Sequence, residues 1–301
     1  MLPEVSVITV CYNPLRGGRR ELFLKNLESV QAQQGVALEH LIIDGASDDG
    51  TVDWLRTFHA GNHPMVIASE PDGGIYDAMN KGIRKARGKY ILFLNTDDYF
   101  HSADGMQQSV TQLERTGCDF SFAPVRFSDA RIHHHIQQAP QRRLHHFIIS
   151  WSFSHQTMLT RRDRMRELGG FDLSYRSAAD YDLLLRLIMA GGKGCFVPHV
   201  FTTFNTEGFS AENRDLAIQE CVRTLQAFFL RFYHVEMTPA QVRRIQEDKV
   251  YPRRYLQVYC QTQRLVDERF LAVPHDPISW ISRKFNIIKY YIKCLLNTSN
   301  A

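Results

Sequence analysis

Long apolar runs are missing from this 301-residue sequence. No stretch approaches the roughly 18–20 apolar residues that a membrane-spanning helix needs. The start, Met1-Leu2-Pro3-Glu4, puts no cationic segment ahead of an apolar one, so a signal peptide is not expected. Six cysteines, at 11, 118, 195, 221, 260 and 294, form no C-x-x-C pair. That argues against a disulfide framework or a zinc site and suits free thiols in a reducing, cytoplasmic setting. The nucleotide loops are missing as well. Without G-x-x-x-x-G-K-[ST] or a G-x-G-x-x-G after the first strand, P-loop and dinucleotide-dependent enzymes fall away. No internal repeat is present. A strong charge excess is lacking too: the net charge is +4, with 44% apolar and 23% charged residues, an ordinary globular balance with no nucleic-acid signature.

The distribution of charge says more than its sum. Residues 1–125 carry 11 Lys and Arg against 16 Asp and Glu, whereas 126–170 carry 8 against 3 and 211–301 carry 14 against 9. An acidic first half therefore joins basic later segments. The first half alternates strand and helix patterns: strands at 5–12, 40–44, 65–69 and 89–94, helices at 19–33, from Asp48/Asp49 to about 59, and 75–87. This is the pattern of a parallel sheet wound with helices. Beyond it, the patterns predict helices at 103–117 and 178–190 and strands at 118–127, 155–160 and 195–204. From 211 the chain reads as helical, over 211–233, 238–250, 252–270 and 278–296. The expected organisation is a catalytic domain over 1–210 and a helical extension over 211–301.

In such sheets ligands sit beyond the carboxyl ends of the strands. Three of those ends bring carboxylates: Asp44, Glu70/Asp72 and Asp97/Asp98. Converging acidic ends repel unless a cation sits among them, and Mg²⁺ or Mn²⁺ takes one or two carboxylates plus phosphate oxygens. The alternative for Asp97-Asp98 is a turn or a helix cap.

At this point the residues resemble a family. The segments VSVITVCYN (5–13), IDGASDDGT (43–51), SEPDGGIYDAMNKG (69–82), GKYILFLNTDDY (88–99) and GGFDLSYRSAADYDLLLR (169–186) are similar to those of family 2 glycosyltransferases. The subgroup they look like builds bacterial exopolysaccharide and colanic-acid repeat units. The resemblance covers about residues 4–210, and 211–301 match nothing recognisable. It implies an α/β chain of the GT-A fold, with a Rossmann-like, mostly parallel sheet flanked by helices and followed by the helical extension. It also implies an inverting, metal-dependent enzyme taking a nucleotide-diphosphate sugar, here UDP-linked.

By the same resemblance, Asp44 would accept from the base, and Thr9, Cys11 and Asn13 would flank the nucleoside. Asp72 and Lys81 would lie near the nucleotide, Lys81 having a solvated helix lysine as its alternative. Asp97 would hold the ribose or sugar and Asp98 the metal. Asp180 would be the general base, since inversion needs one carboxylate to take the acceptor hydroxyl's proton. Where relatives carry Glu before this Asp, this chain has Ala179. Asp182 lies on a different helix face and reads as a cap or ion-pair partner. His155-Gln156 matches an acceptor-side H-Q, with a structural hydrogen bond as the alternative. Glu207-Gly208-Phe209-Ser210 stands where relatives have a G-G-x-S loop, which makes Ser210 a donor-closing candidate.

His133–His135 and His145-His146 suggest a solvated, partly cationic loop rather than a metal site, because successive strand side chains alternate faces. With Arg142 and Arg143 they would face an anionic acceptor. Residues 277–297 hold four basic residues and no acidic one on an amphipathic pattern. Such a helix can lie on an anionic membrane surface, placing the protein on the cytoplasmic face of the inner membrane. Its alternative is packing on its own domain or in a homo-oligomer. The expected acceptor is a saccharide or polyprenyl-linked saccharide. Rival functions are a sugar-phosphate nucleotidyltransferase and a non-catalytic nucleotide-sugar-binding protein.

Overall fold

Runs rich in β-branched and other apolar residues form strands that are buried on both faces. In the computed structural model, which describes residues 2–128, 133–136, 154–208 and 212–248, two such runs become β1 (Val5–Cys11) and β2 (Leu38–Asp44), fully buried along their lengths. They pair in parallel, Val5 opposite Leu38 through Cys11 opposite Asp44. β3 (Met65–Ser69) extends the sheet beside β2, and β4 (Tyr90–Phe93) lies on the other side of β1. Between them run α1 (Arg20–Gln31), α2 (Thr51–Thr57) and α3 (Ile75–Lys85). α3 buries Tyr76, Ala78, Met79, Gly82 and Ile83, and a Cβ on Gly82 would come within 2.6 Å of Ile8 Cγ2. Glycine there lets the helix lie close on β1.

After the short β5 (Tyr99–Phe100) and α4 (Gly105–Thr116), the single strand expected at 118–127 divides. β6 (Phe120–Phe122) joins the main sheet and β7 (Val125–Ser128) a second one, with Ala123-Pro124 between them. β8 (His133–Ile136) pairs antiparallel with β7, so the three adjacent histidines do lie on a strand. The strand expected at 155–160 is also corrected. His155–Thr157 is a 3-10 turn, closed by Thr157 N–H on Ser154 O at 3.0 Å, and only then comes β9 (Leu159–Arg161). A short helix that the sequence pattern did not signal, α5 (Arg162–Glu167), follows, then α6 (Ala179–Met189). The strand expected at 195–204 splits into β10 (Gly194–Phe196) and β11 (Thr202–Asn205).

The main sheet has seven strands in the order β10-β6-β9-β4-β1-β2-β3, all parallel except β9, which runs against both neighbours. The second sheet has the order β5-β11-β7-β8. Because β9 is reversed, its beginning lies at the edge where the other strands end. That delivers His155 and Gln156 to the carboxylate edge.

The helices α7 (Arg214–Tyr233) and α8 (Pro239–Asp248) do not stand apart. Val222, Leu225, Phe228 and Phe229 of α7 and Val242 and Ile245 of α8 share one buried cluster with Phe120, Phe122, Tyr181, Leu185 and Ile188. The boundary expected at 210 therefore meets a continuous core through residue 245. The predicted helices at 252–270 and 278–296, the basic segment 277–297 and the His145-His146 pair lie outside the described residues. Among the described residues, no helix is long and apolar enough to cross a membrane.

Candidate active site

The ends of β1, β2 and β3 build the first half of the site. Cys11, Asp44 and Ser69 stand in register at the sheet edge. Asp44 is fully buried and each of its oxygens is engaged. Oδ2 accepts from Ser47 N–H at 2.9 Å and Ser69 Oγ at 2.6 Å, while Oδ1 accepts from Ser47 Oγ and from Cys11 Sγ at 3.5 Å. These bonds hold the loop after β2 in place, at the edge where the sequence expects Asp44 to meet a base. Burial, reinforced by the Asp44 charge, pushes the Cys11 thiol far up, so it stays a protonated donor. Thr9, expected beside the nucleoside, stands two residues back from the end of β1. It is wholly buried, with Oγ1 at 2.9 Å from His40 Nε2, beneath α1 rather than at the edge. Burial lowers His40 to about 3, so that ring is neutral.

Asn13 takes a left-handed conformation, φ 47°, and its side chain accepts from Asp48 N–H at 2.9 Å. Its own N–H donates to Ser47 Oγ at 2.8 Å, lacing the loop after β1 to the loop after β2. Tyr12, which the sequence reading did not single out, projects 68% exposed beside them. Asp72 lies directly over Gly45, where a Cβ would meet its Oδ2 at 2.5 Å, and its Oδ1 accepts from Gly74 N–H. Lys81 is not a solvated lysine. It reaches under the loop before α3, donating to Pro71 O with Glu70 and Asp77 each at 3.8 Å.

The second half gathers around the end of β4. Asp98 is 1% exposed, and both its oxygens accept from the protein: Oδ1 from Asn205 N–H at 2.8 Å, Oδ2 from Gln156 Nε2 at 2.9 Å. Burial and the adjoining Asp97 charge raise its carboxyl well above the usual range. Each oxygen accepts one of these bonds, and a carboxylate oxygen has two lone pairs, so the bonds do not use up its capacity. Asp97 differs. It stays 7% exposed, lies within reach of the charges of Arg19 and Glu212, and is raised chiefly by burial. Among the described residues no group of three potential ligands forms a protein-only metal site. A single carboxylate is nonetheless what Mg²⁺ or Mn²⁺ needs when phosphate oxygens and water complete its shell, and Asp98, with Asp97 beside it, fits that requirement.

Gln156, 1% exposed, also has its backbone carbonyl bound by Thr202 Oγ1, and its side chain buttresses Asp98. His155 turns the other way, with Nδ1 3.0 Å from Asp180 Oδ2. Asp180 Oδ1 accepts from Tyr76 Oη at 3.2 Å and from Tyr181 N–H at 3.0 Å. Burial first, then the Asp180 charge, pushes the Tyr76 phenol far up, which keeps it a donor. Pattern reading missed Tyr76, although it lies inside the quoted segment 69–82. Asp182 pairs with Arg186 at 2.7 Å, and that guanidinium also holds Leu168 O and Gly170 O. Its role is to tie α6 to the preceding loop. Ser210 lies outside the described residues.

Residues 6–170 match the sequence family described as Glycosyl transferase family 2. An uncharacterized glycosyltransferase of Mycobacterium tuberculosis is 30% identical over 232 residues, covering 72% of this chain and 80% of the relative. Among solved structures, S. aureus TarS residues 1–349 in complex with UDP-GlcNAc superposes with a TM-score of 0.60 at 16% identity, over 84% of this chain and 73% of that one. The mannosyltransferase PcManGT of Pyrobaculum calidifontis, in complex with GDP-Man and Mn²⁺, gives 0.58 at 17% identity, over 99% and 84%. The structural likeness is one of fold. With the family match spanning more than half of its length, this chain belongs to glycosyltransferase family 2 and is a glycosyltransferase of GT-A-like fold.

Proposed function

We propose that the protein is an inverting glycosyltransferase, transferring a sugar from a UDP-linked donor to a saccharide or polyprenyl-linked saccharide, with Asp180 as general base. The observation that carries this is the fixed pose of Asp180. One oxygen is held by Tyr76 and the Tyr181 N–H, the other by His155, on the first turn of a helix at the carboxylate edge. A carboxylate so held can accept a proton without reorienting, which general-base catalysis requires. The acceptor hydroxyl loses its proton to Asp180 as its oxygen forms a bond to C1, and the bond from C1 to the diphosphate breaks on the opposite face.

Asp98, with Asp97 beside it, is the residue that would hold a divalent metal, which when bound neutralises charge developing on the departing diphosphate. Arg19, beside Asp97, adds positive charge from the protein itself. Asp72, Lys81, Asn13 and the exposed Tyr12 frame the nucleotide side. The UDP reading draws support from the TarS complex, and the GDP-Man complex makes a guanine donor its natural competitor.

Asp180→Asn tests the reading. UDP binding, measured by calorimetry with Mn²⁺, should stay within about threefold, while UDP release from UDP-GlcNAc, UDP-glucose or UDP-galactose should fall by about 10²-fold or more. Substantial turnover in this variant would sink the base assignment.

A further inference from the structure

The helix that carries Asp180 starts without a side-chain cap of its own: Ala178 precedes it and Ala179 opens it. The N–H groups of a helix's first turn, and of the turn leading in, need acceptors from elsewhere when they are buried. Glu220, on α7, provides them. Its carboxylate accepts from Arg176 N–H at 2.9 and 3.0 Å, from Ser177 N–H at 2.7 Å and from Ala178 N–H at 3.1 Å. Glu220 is 7% exposed, so these charge-assisted bonds are made away from bulk water. One turn further on, Arg223 donates to Ser174 O at 2.7 Å and lays its guanidinium 4.0 Å over the Tyr175 ring. α7 therefore grips 174–178 at two levels, and the residue next but one to Ala178 is Asp180.

We propose that Glu220 is a positioning residue for glycosyl transfer: its carboxylate fixes the backbone entering α6 and so sets where the Asp180 carboxylate stands. An anion at a helix N-terminus is stabilised by the aligned peptide dipoles, which gives the contact direction as well as strength. The proposal rests on Asp180 as the base. The consequence is that α7, a helix downstream of the family match, controls the geometry of proton transfer. A displacement of about 1 Å at a catalytic group can cost 10²-fold in rate, so a lost clamp shows in turnover before it shows in donor affinity.

The test uses the full chain and the variants Glu220→Gln and Glu220→Ala. Backbone hydrogen exchange across 176–182 should speed up at least tenfold in either, while β1 and β2 keep wild-type protection. UDP release from the same UDP-sugars should fall about 10- to 100-fold in kcat, with the donor KM within twofold. Unchanged exchange across 176–182 would overturn the clamp. Wild-type kcat alongside the faster exchange would overturn its role in transfer. A loss of turnover matched by an equal loss of the UDP-binding fraction would also overturn it, since that marks plain unfolding. If Gln and Ala both strip protection from β1 and β2, Glu220→Asp, which keeps the charge on a shorter arm, is read by the same criteria. Turnover in Asp180→Asn would defeat the base assignment alone, because the exchange measurement reads the clamp without it.

Discussion

Two adjacent carboxylates at the end of β4 divide their work by burial. Asp98, 1% exposed, is held by Gln156 and Asn205, whereas Asp97 keeps 7% of its surface exposed. Asp97→Asn should weaken Mn²⁺-dependent UDP binding at least tenfold while leaving the urea midpoint unchanged. Asp98→Ala orphans a buried amide and a backbone N–H and should cost about 1–3 kcal/mol of stability, read by the same urea titration. A second buried carboxylate, Glu39, shows the pH side of this logic. Burial would push it up, but Ser6 Oγ at 2.6 Å, Arg87 N–H at 2.7 Å and the Arg87 guanidinium outweigh that and hold it below its usual 4.5. Its folded value is depressed, so its contribution is complete above the unfolded value and drains away as pH falls through the folded one. Arg87→Met should flatten the stability loss below about pH 4.5 in urea titrations across pH.

At the scale of elements, the contact between α3 and β1 depends on one missing methyl group. Gly82→Ala gains about 1 kcal/mol of helix propensity, but its Cβ overlaps Ile8. Overpacking of this kind costs about 1–3 kcal/mol, so the variant should show a net lower thermal midpoint by calorimetry. The strands β1 to β4 and their helices were legible because apolar runs and Gly or Asp punctuation are local signals. The strand expected at 155–160 contains most of β9, but its true start and reversed direction were not legible, since a three-residue strand entered through a 3-10 turn leaves no period to read. Asp180 was readable from its motif, whereas its holders Tyr76 and Glu220 come from 104 residues before Asp180 and from 42 residues after Ala178. The donors around Thr9, Asp44 and Asp98 were not legible, because a polar residue at or near a strand end can face inward and spacing does not say which donors await it.

For the whole molecule, the decisive fact is the core that α7 and α8 share with β6 and α6. A chain cut after residue 210 would expose Phe120, Phe122, Tyr181 and Leu185 at once. It should lose its cooperative thermal transition and bind a hydrophobic dye. The reversed β9 carries a different consequence, for the order of assembly. β1, β2, β3 and β4 with their helices close within the first 93 residues, through short connections. β9 must then bridge β4 and β6, and the Asp98–Asn205 and Tyr76–Asp180 links span more than 100 residues. Closing such loops is paid for before the contacts form, which makes them late events. The nucleotide side is therefore in place early on the folding route, and the part that performs transfer is the last to be completed.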